Sequence, residues 1–135
     1  MSTEILVRLL IALAIVGLGL FAYWWINQRM LGRAQSNVLT LIGNLPKQPV
    51  IVYFTTPDCV PCKTIQRPAL NQLSNVMGDK LKVIEIDATQ RPDLASEWGV
   101  FSVPTTFLLD ARGEARYVNN GVTRVEKLME QLQSL

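Results

Sequence analysis

The sequence contains no histidine. That absence removes imidazole-based catalytic triads, histidine-ligated haem and mixed Cys/His zinc sites within the chain. Cysteine is scarce as well, with 2 residues in 135. Two thiols cannot build a disulfide framework beyond their own bridge, and they cannot complete a tetrahedral zinc site alone. No block of like charge is present: 13 basic and 11 acidic residues are scattered, for a net charge of +2. Nucleic-acid binding needs a clustered basic surface, so no nucleic-acid partner is expected. The chain also lacks internal repeats and low-complexity tracts. Its length suits one compact domain with an appendage.

Apolar residues are plentiful, at 49%, and the excess lies at the N-terminus. Leu9 to Ile26 is an unbroken run of 18 uncharged, almost wholly apolar residues, and Ile5-Leu6-Val7 extends it beyond Arg8. At about 1.5 Å per residue the run approaches the length needed to cross a bilayer core. Tyr23-Trp24-Trp25 stands at its far end, where aromatic rings meet lipid headgroups, and Arg29 and Arg33 follow. The run is longer than the core of a cleaved signal peptide, and no small-x-small site precedes the aromatics. A single domain of this size could not enclose it as a core helix. Residues 1–30 therefore read as a retained transmembrane anchor, in the bilayer through residues 5–26, which makes the chain a single-pass membrane protein. The flanking charges, Arg8 and the terminal amine with Glu4 before the span and Arg29 and Arg33 after it, lean toward a cytoplasmic C-terminal side.

Residues 31–48 read as a juxtamembrane segment. Val38, Leu39, Leu41, Ile42 and Leu45 give it the pattern of a short amphipathic helix, and Asn44 to Pro49 is a turn-rich connector. Residues 49–135 then form the domain. Val50 to Phe54 is a continuous apolar run, expected as a central strand buried on both faces. A helix from about Val60 to Val76 follows, and Pro68 inside it should kink it. Leu81 to Asp87 alternates and reads as a parallel strand. Pro92 opens a short helix that ends near Trp98-Gly99. Thr105 to Leu109 and Glu114 to Asn119 form a hairpin around Asp110-Ala111-Arg112-Gly113. Thr123 is expected to cap a final helix with Val125, Leu128, Met129 and Leu132 on its apolar face. The order is β-α-β-α-β-β-α, an α/β fold with a four-stranded mixed sheet flanked by helices.

Both cysteines lie in Thr56-Pro57-Asp58-Cys59-Val60-Pro61-Cys62-Lys63, where the buried strand hands over to a helix N-terminus. The first turn of a helix presents unpaired N–H groups and a partial positive charge, which ease ionisation of a thiol placed there. Two intervening residues let the second thiol reach the first, so an intramolecular disulfide can close. This is the layout of a dithiol–disulfide exchange site. A zinc shared between two chains is the other reading of the pair.

Val50 to Lys63, together with Val103-Pro104-Thr105, resembles the thioredoxin family, and the resemblance runs from about Pro49 to Leu135. It implies a thioredoxin-like fold and a thiol–disulfide oxidoreductase. The Cys59–Cys62 disulfide then serves in place of any cofactor, and protein disulfides or dithiols are the substrates. By resemblance Cys59 attacks and forms a mixed disulfide, and Cys62 resolves it. Pro104 is expected in the cis form facing the dithiol, with Val103, Pro104 and Thr105 receiving an extended substrate segment. Pro61 stiffens the loop, and Lys63 adds charge nearby while reading mainly as a solvated helix residue.

The family's first strand has no counterpart, which leaves four strands. The family's tryptophan before the first cysteine is Asp58 here, whose carboxylate would oppose thiol ionisation. Its Gly-Pro between the cysteines is Val60-Pro61, which adds bulk. Its buried acid in the central strand is Tyr53, a poor base, and Glu85 is the substitute if its side chain points inward. These departures keep a second reading in view, a thioredoxin-like docking subunit of a larger membrane complex. Membrane-tethered relatives more often face an oxidising compartment, opposite to the side the flanking charges favour.

Overall fold

In the computed structural model the described residues are 2–42 and 47–135, with side chains described at 2–30 and 47–135. The elements are helix α1 (Ser2–Ile42), strand β1 (Val50–Thr55), a π-helical turn (Cys62–Gln66) leading into α2 (Arg67–Met77), β2 (Lys82–Asp87), α3 (Pro92–Glu97), β3 (Thr105–Leu109), β4 (Ala115–Asn120) and α4 (Val125–Gln133). The order expected from the sequence is present, and the sheet has four strands arranged β2-β1-β3-β4. β1 pairs parallel with β2 and antiparallel with β3, and β3 pairs antiparallel with β4.

The continuous apolar run of β1 follows from this position. A strand with neighbours on both edges and helices on both faces has no wet side, and every residue of β1 and β3 is buried. The two-residue period divides β1 between two cores. Val50, Val52 and Phe54 face Leu94, Trp98 and Phe107. Ile51 and Tyr53 face Leu70, Leu73, Leu128 and the two cysteines. In the first core, Trp98 stands edge-on to Phe107 at 5.1 Å and lies 5.8 Å from Phe54, a packing geometry aromatic rings favour.

α1 runs without interruption from Ser2 to Ile42. Its apolar side chains up to Ile26 are exposed, and Ser2–Met30 is long and apolar enough to cross a membrane. One turn beyond Ile26, Met30 is buried in the first core, and α1 lies against β4 and α3. The apolar positions expected at Val38, Leu39, Leu41, Ile42 and Leu45, and the connector around Asn44 and Pro46, lie outside the described side chains.

Two local expectations are corrected. In place of the kink assigned to Pro68, the helix changes period in the turn before it, a π-helical turn in which the Arg67 N–H donates to the Cys62 carbonyl. Pro68 itself sits in the first turn of α2, where its missing N–H has no ladder partner to lose. The final helix is capped from Arg124 without a side-chain bond, and Thr123 is buried instead.

Candidate active site

Strand register brings three loops to one end of the sheet. Phe54 pairs with Thr105, and Thr105 pairs with Asn120. The dithiol loop after β1, the Ser102–Pro104 loop before β3 and the Gly121–Arg124 loop after β4 are therefore level. Backbone bonds close the first of them: Cys59 N–H donates to the Thr56 carbonyl at 3.2 Å, and Lys63 N–H donates to the Cys59 carbonyl at 3.3 Å.

Cys59 and Cys62 are joined by a disulfide. Cys59 retains 9% exposure while Cys62 has none, so both are largely covered and the first is the one nearer the surface. The Cys62 N–H donates to Cys59 Sγ at 3.3 Å. This is the helix-start geometry anticipated above: an unpaired first-turn amide aimed at the outer sulfur, where it would stabilise negative charge. Asp58, Val60, Pro61 and Lys63, the pair's neighbours along the chain, are exposed.

The Val103–Pro104 peptide bond is cis. Val103 packs against both cores, including the one that holds the cysteines. Thr105 is fully buried and its hydroxyl donates to the Ser102 carbonyl at 2.6 Å, so it shapes this loop from within. The Pro104 carbonyl accepts from Gly121 N–H at 2.8 Å, which ties the second and third loops together.

Behind the dithiol, the Tyr53 hydroxyl donates to the Cys62 carbonyl at 3.3 Å. Burial pushes the Tyr53 phenol above its ordinary value, and the Glu85 carboxylate adds to the effect. Tyr53 is thus held as a neutral donor. Glu85 pairs with Tyr53 in register, yet its carboxylate is exposed and bonded to Arg67. Glu85 therefore does not replace the family's buried acid.

A pH test follows from Tyr53. Folding favours its protonated form, so its contribution is present below about pH 10 and is lost as pH rises through the raised folded value. Tyr53→Phe should change neutral-pH stability by only about 1 kcal/mol. It should also flatten the alkaline loss of stability, read as urea midpoints from pH 7 to 11. An alkaline fall as steep as that of the wild type would refute this placement of the phenol.

One residue escaped the sequence reading. Gln66 is fully buried, and its amide bonds to the backbone of Thr123. A signal was available: Gln66 lies on the helical stripe of Cys62, Leu70 and Leu73, where a polar residue needs a partner.

Among the described residues, no group of three or more His, Cys, Asp or Glu could hold a metal ion. A largely buried Cys59–Cys62 disulfide at the strand-to-helix junction of a mixed sheet, with Val103 packed against the same core, defines a thiol–disulfide oxidoreductase. The sequence pattern of thioredoxin matches residues 34–134, and the chain belongs to the thioredoxin family. It is 40% identical over 81 residues to thioredoxin of Bacillus subtilis, a match spanning 60% of this chain and 76% of that one. Thioredoxin of Griffithsia pacifica is 37% identical over 62 residues, or 46% of this chain and 56% of that one. In fold the chain is similar to the solved structure of thioredoxin-2, a component of malaria parasite protein secretion machinery. That likeness has a TM-score of 0.63 at 20% identity and covers 68% of this chain and 87% of that one.

Proposed function

We propose that the protein is a membrane-anchored oxidoreductase that exchanges its Cys59–Cys62 dithiol with disulfides of protein clients. The observation that carries this reading is the asymmetry of the pair, with Cys59 keeping slight exposure under an amide donor and Cys62 fully enclosed. In the reducing direction the Cys59 thiolate attacks one sulfur of a client disulfide. An S–S bond forms between Cys59 and the client, the client bond breaks, and one client sulfur leaves as a thiolate. Cys62, deprotonated, then attacks Cys59 Sγ. The second client thiolate leaves, both client thiolates take up protons, and the Cys59–Cys62 disulfide remains. Two electrons pass to the client, and the reverse sequence oxidises it. Val103 and Pro104 stand at the same sheet end to receive the client backbone, and Val60 offers an apolar contact beside Cys59.

Anchoring rests on the apolar, exposed helix Ser2–Met30. Met30, one turn beyond the apolar run, packs in the domain core, which supports a dithiol domain held within about one helical turn of the bilayer surface. Its clients would then be membrane proteins or proteins passing close to the membrane.

The test is reduction of insulin by the detergent-solubilised chain, with a redox titration of the pair and carbonate extraction of membranes. Insulin turnover, a defined two-electron potential and retention in the carbonate pellet are expected. Deletion of residues 2–26 should move most of the protein to the supernatant. A pair that neither titrates nor reduces insulin would leave the docking-subunit reading instead. Labelling of Cys59 by an impermeant thiol reagent in intact, mildly reduced cells reads the side on which the domain stands.

A further inference from the structure

The three loops at the site end of the sheet are tied by backbone bonds at one junction and by a single side chain at another. Gly121 N–H donates to the Pro104 carbonyl at 2.8 Å, which pins the start of the β4–α4 loop. The other pin is Gln66. Its Nε2 donates to the Thr123 carbonyl at 3.1 Å, and its Oε1 accepts from Thr123 N–H at 2.8 Å. One carboxamide thus satisfies both backbone groups of one residue, as a neighbouring strand would. Gln66 closes the π-helical turn that begins at Cys62, so the second cysteine and this pin share one turn. Widened turns of this kind are frequent at functional sites.

Val122, between the two pins, is 40% exposed, and Val60, between the two cysteines, is 65% exposed. The Gly121–Thr123 loop adds no chemistry of its own, but its place decides where an apolar contact meets a client. We infer that Gln66 is a positioning residue for protein clients: it holds the Gly121–Thr123 loop, and so Val122, at the dithiol end of the sheet. This rests on the exchange reading above. A small disulfide touches only the sulfurs and is indifferent to the loop. A protein disulfide lies across it.

Gln66→Met in the full chain keeps the length and removes the hydrogen bonds, leaving the Thr123 backbone unpaired. Loss of one net hydrogen bond corresponds to roughly a tenfold change in an opening equilibrium, so Thr123 amide exchange should quicken by about tenfold or more. The KM for insulin should rise roughly three- to tenfold with kcat retained, on the same scale of interaction. Reaction with the small disulfide DTNB should stay within about twofold, since no sulfur contact changes. Equal losses on insulin and DTNB would overturn the inference, as would an unchanged insulin KM alongside a loosened Thr123 amide. Should Gln66→Met fail to fold, Val122→Asp on the surface decides the matter. A raised insulin KM supports the loop's role, and an unchanged one ends it. A wild-type chain inert toward both disulfides would sink the exchange reading and this inference with it, an outcome separable because it needs no variant.

Discussion

Cys62→Ser should accumulate as a mixed disulfide with its client. The enclosed second sulfur is the only thiol within reach of Cys59, and without it the Cys59–client bond has no internal attacker. Non-reducing gels after incubation with oxidised insulin should show an adduct that dithiothreitol removes. Cys59→Ser should form no adduct and should lose roughly a thousandfold or more in turnover. A serine hydroxyl is not ionised near neutral pH, and such a loss corresponds to about 4 kcal/mol of barrier. The two variants separate nucleophile from resolver. Adducts through Cys62 in the Cys59→Ser chain would reverse the assignment. That outcome would be hard to reconcile with a Cys62 sulfur that has no solvent exposure.

Trp98→Ala should cost about 3–5 kcal/mol of stability, enough to unfold a large share of the domain. Trp98 is fully buried between Phe54 and Phe107 and holds α3 to the sheet. Its removal leaves a cavity beside the central strand that carries the dithiol loop. Trp98→Phe should cost far less. The indole N–H is buried and finds no hydrogen-bond partner among the described residues, so that substitution removes volume but no bond. Urea unfolding of the two variants reads the difference directly. Equal losses would mean that the indole N–H is bonded after all.

Much of the site was legible because its signals are local. The apolar run Val50 to Phe54, the cysteine spacing and the helix that follows place a dithiol at a strand-to-helix junction. That junction alone supplies the amide donor at Cys59 Sγ. Val103-Pro104-Thr105 could be joined to the pair only through the family resemblance. Nothing in those three residues says that strand register will set them level with Thr55, over 40 residues earlier in the chain. The final-helix cap failed for a related reason. Thr123 suits an N-cap by residue type, yet Gln66, 57 positions away, takes its backbone groups. Pro68 signalled a break in the helix but not its form, since a helix can relieve a proline by widening the turn before it.

The sequence by itself determined the apolar N-terminal helix, the order of strands and helices, and a cysteine spacing that allows a disulfide. Each follows from periodicity, turn residues or spacing within about a dozen positions. Only the tertiary structure decided that Glu85 turns outward to Arg67 while Tyr53 stays neutral under Cys62. The same holds for Met30, which joins the domain core one turn after the apolar run ends, and for Gln66, whose amide takes both backbone groups of Thr123. These outcomes depend on which faces meet across the sheet, and a side chain's partner there is set by packing between distant segments rather than by its neighbours in the chain.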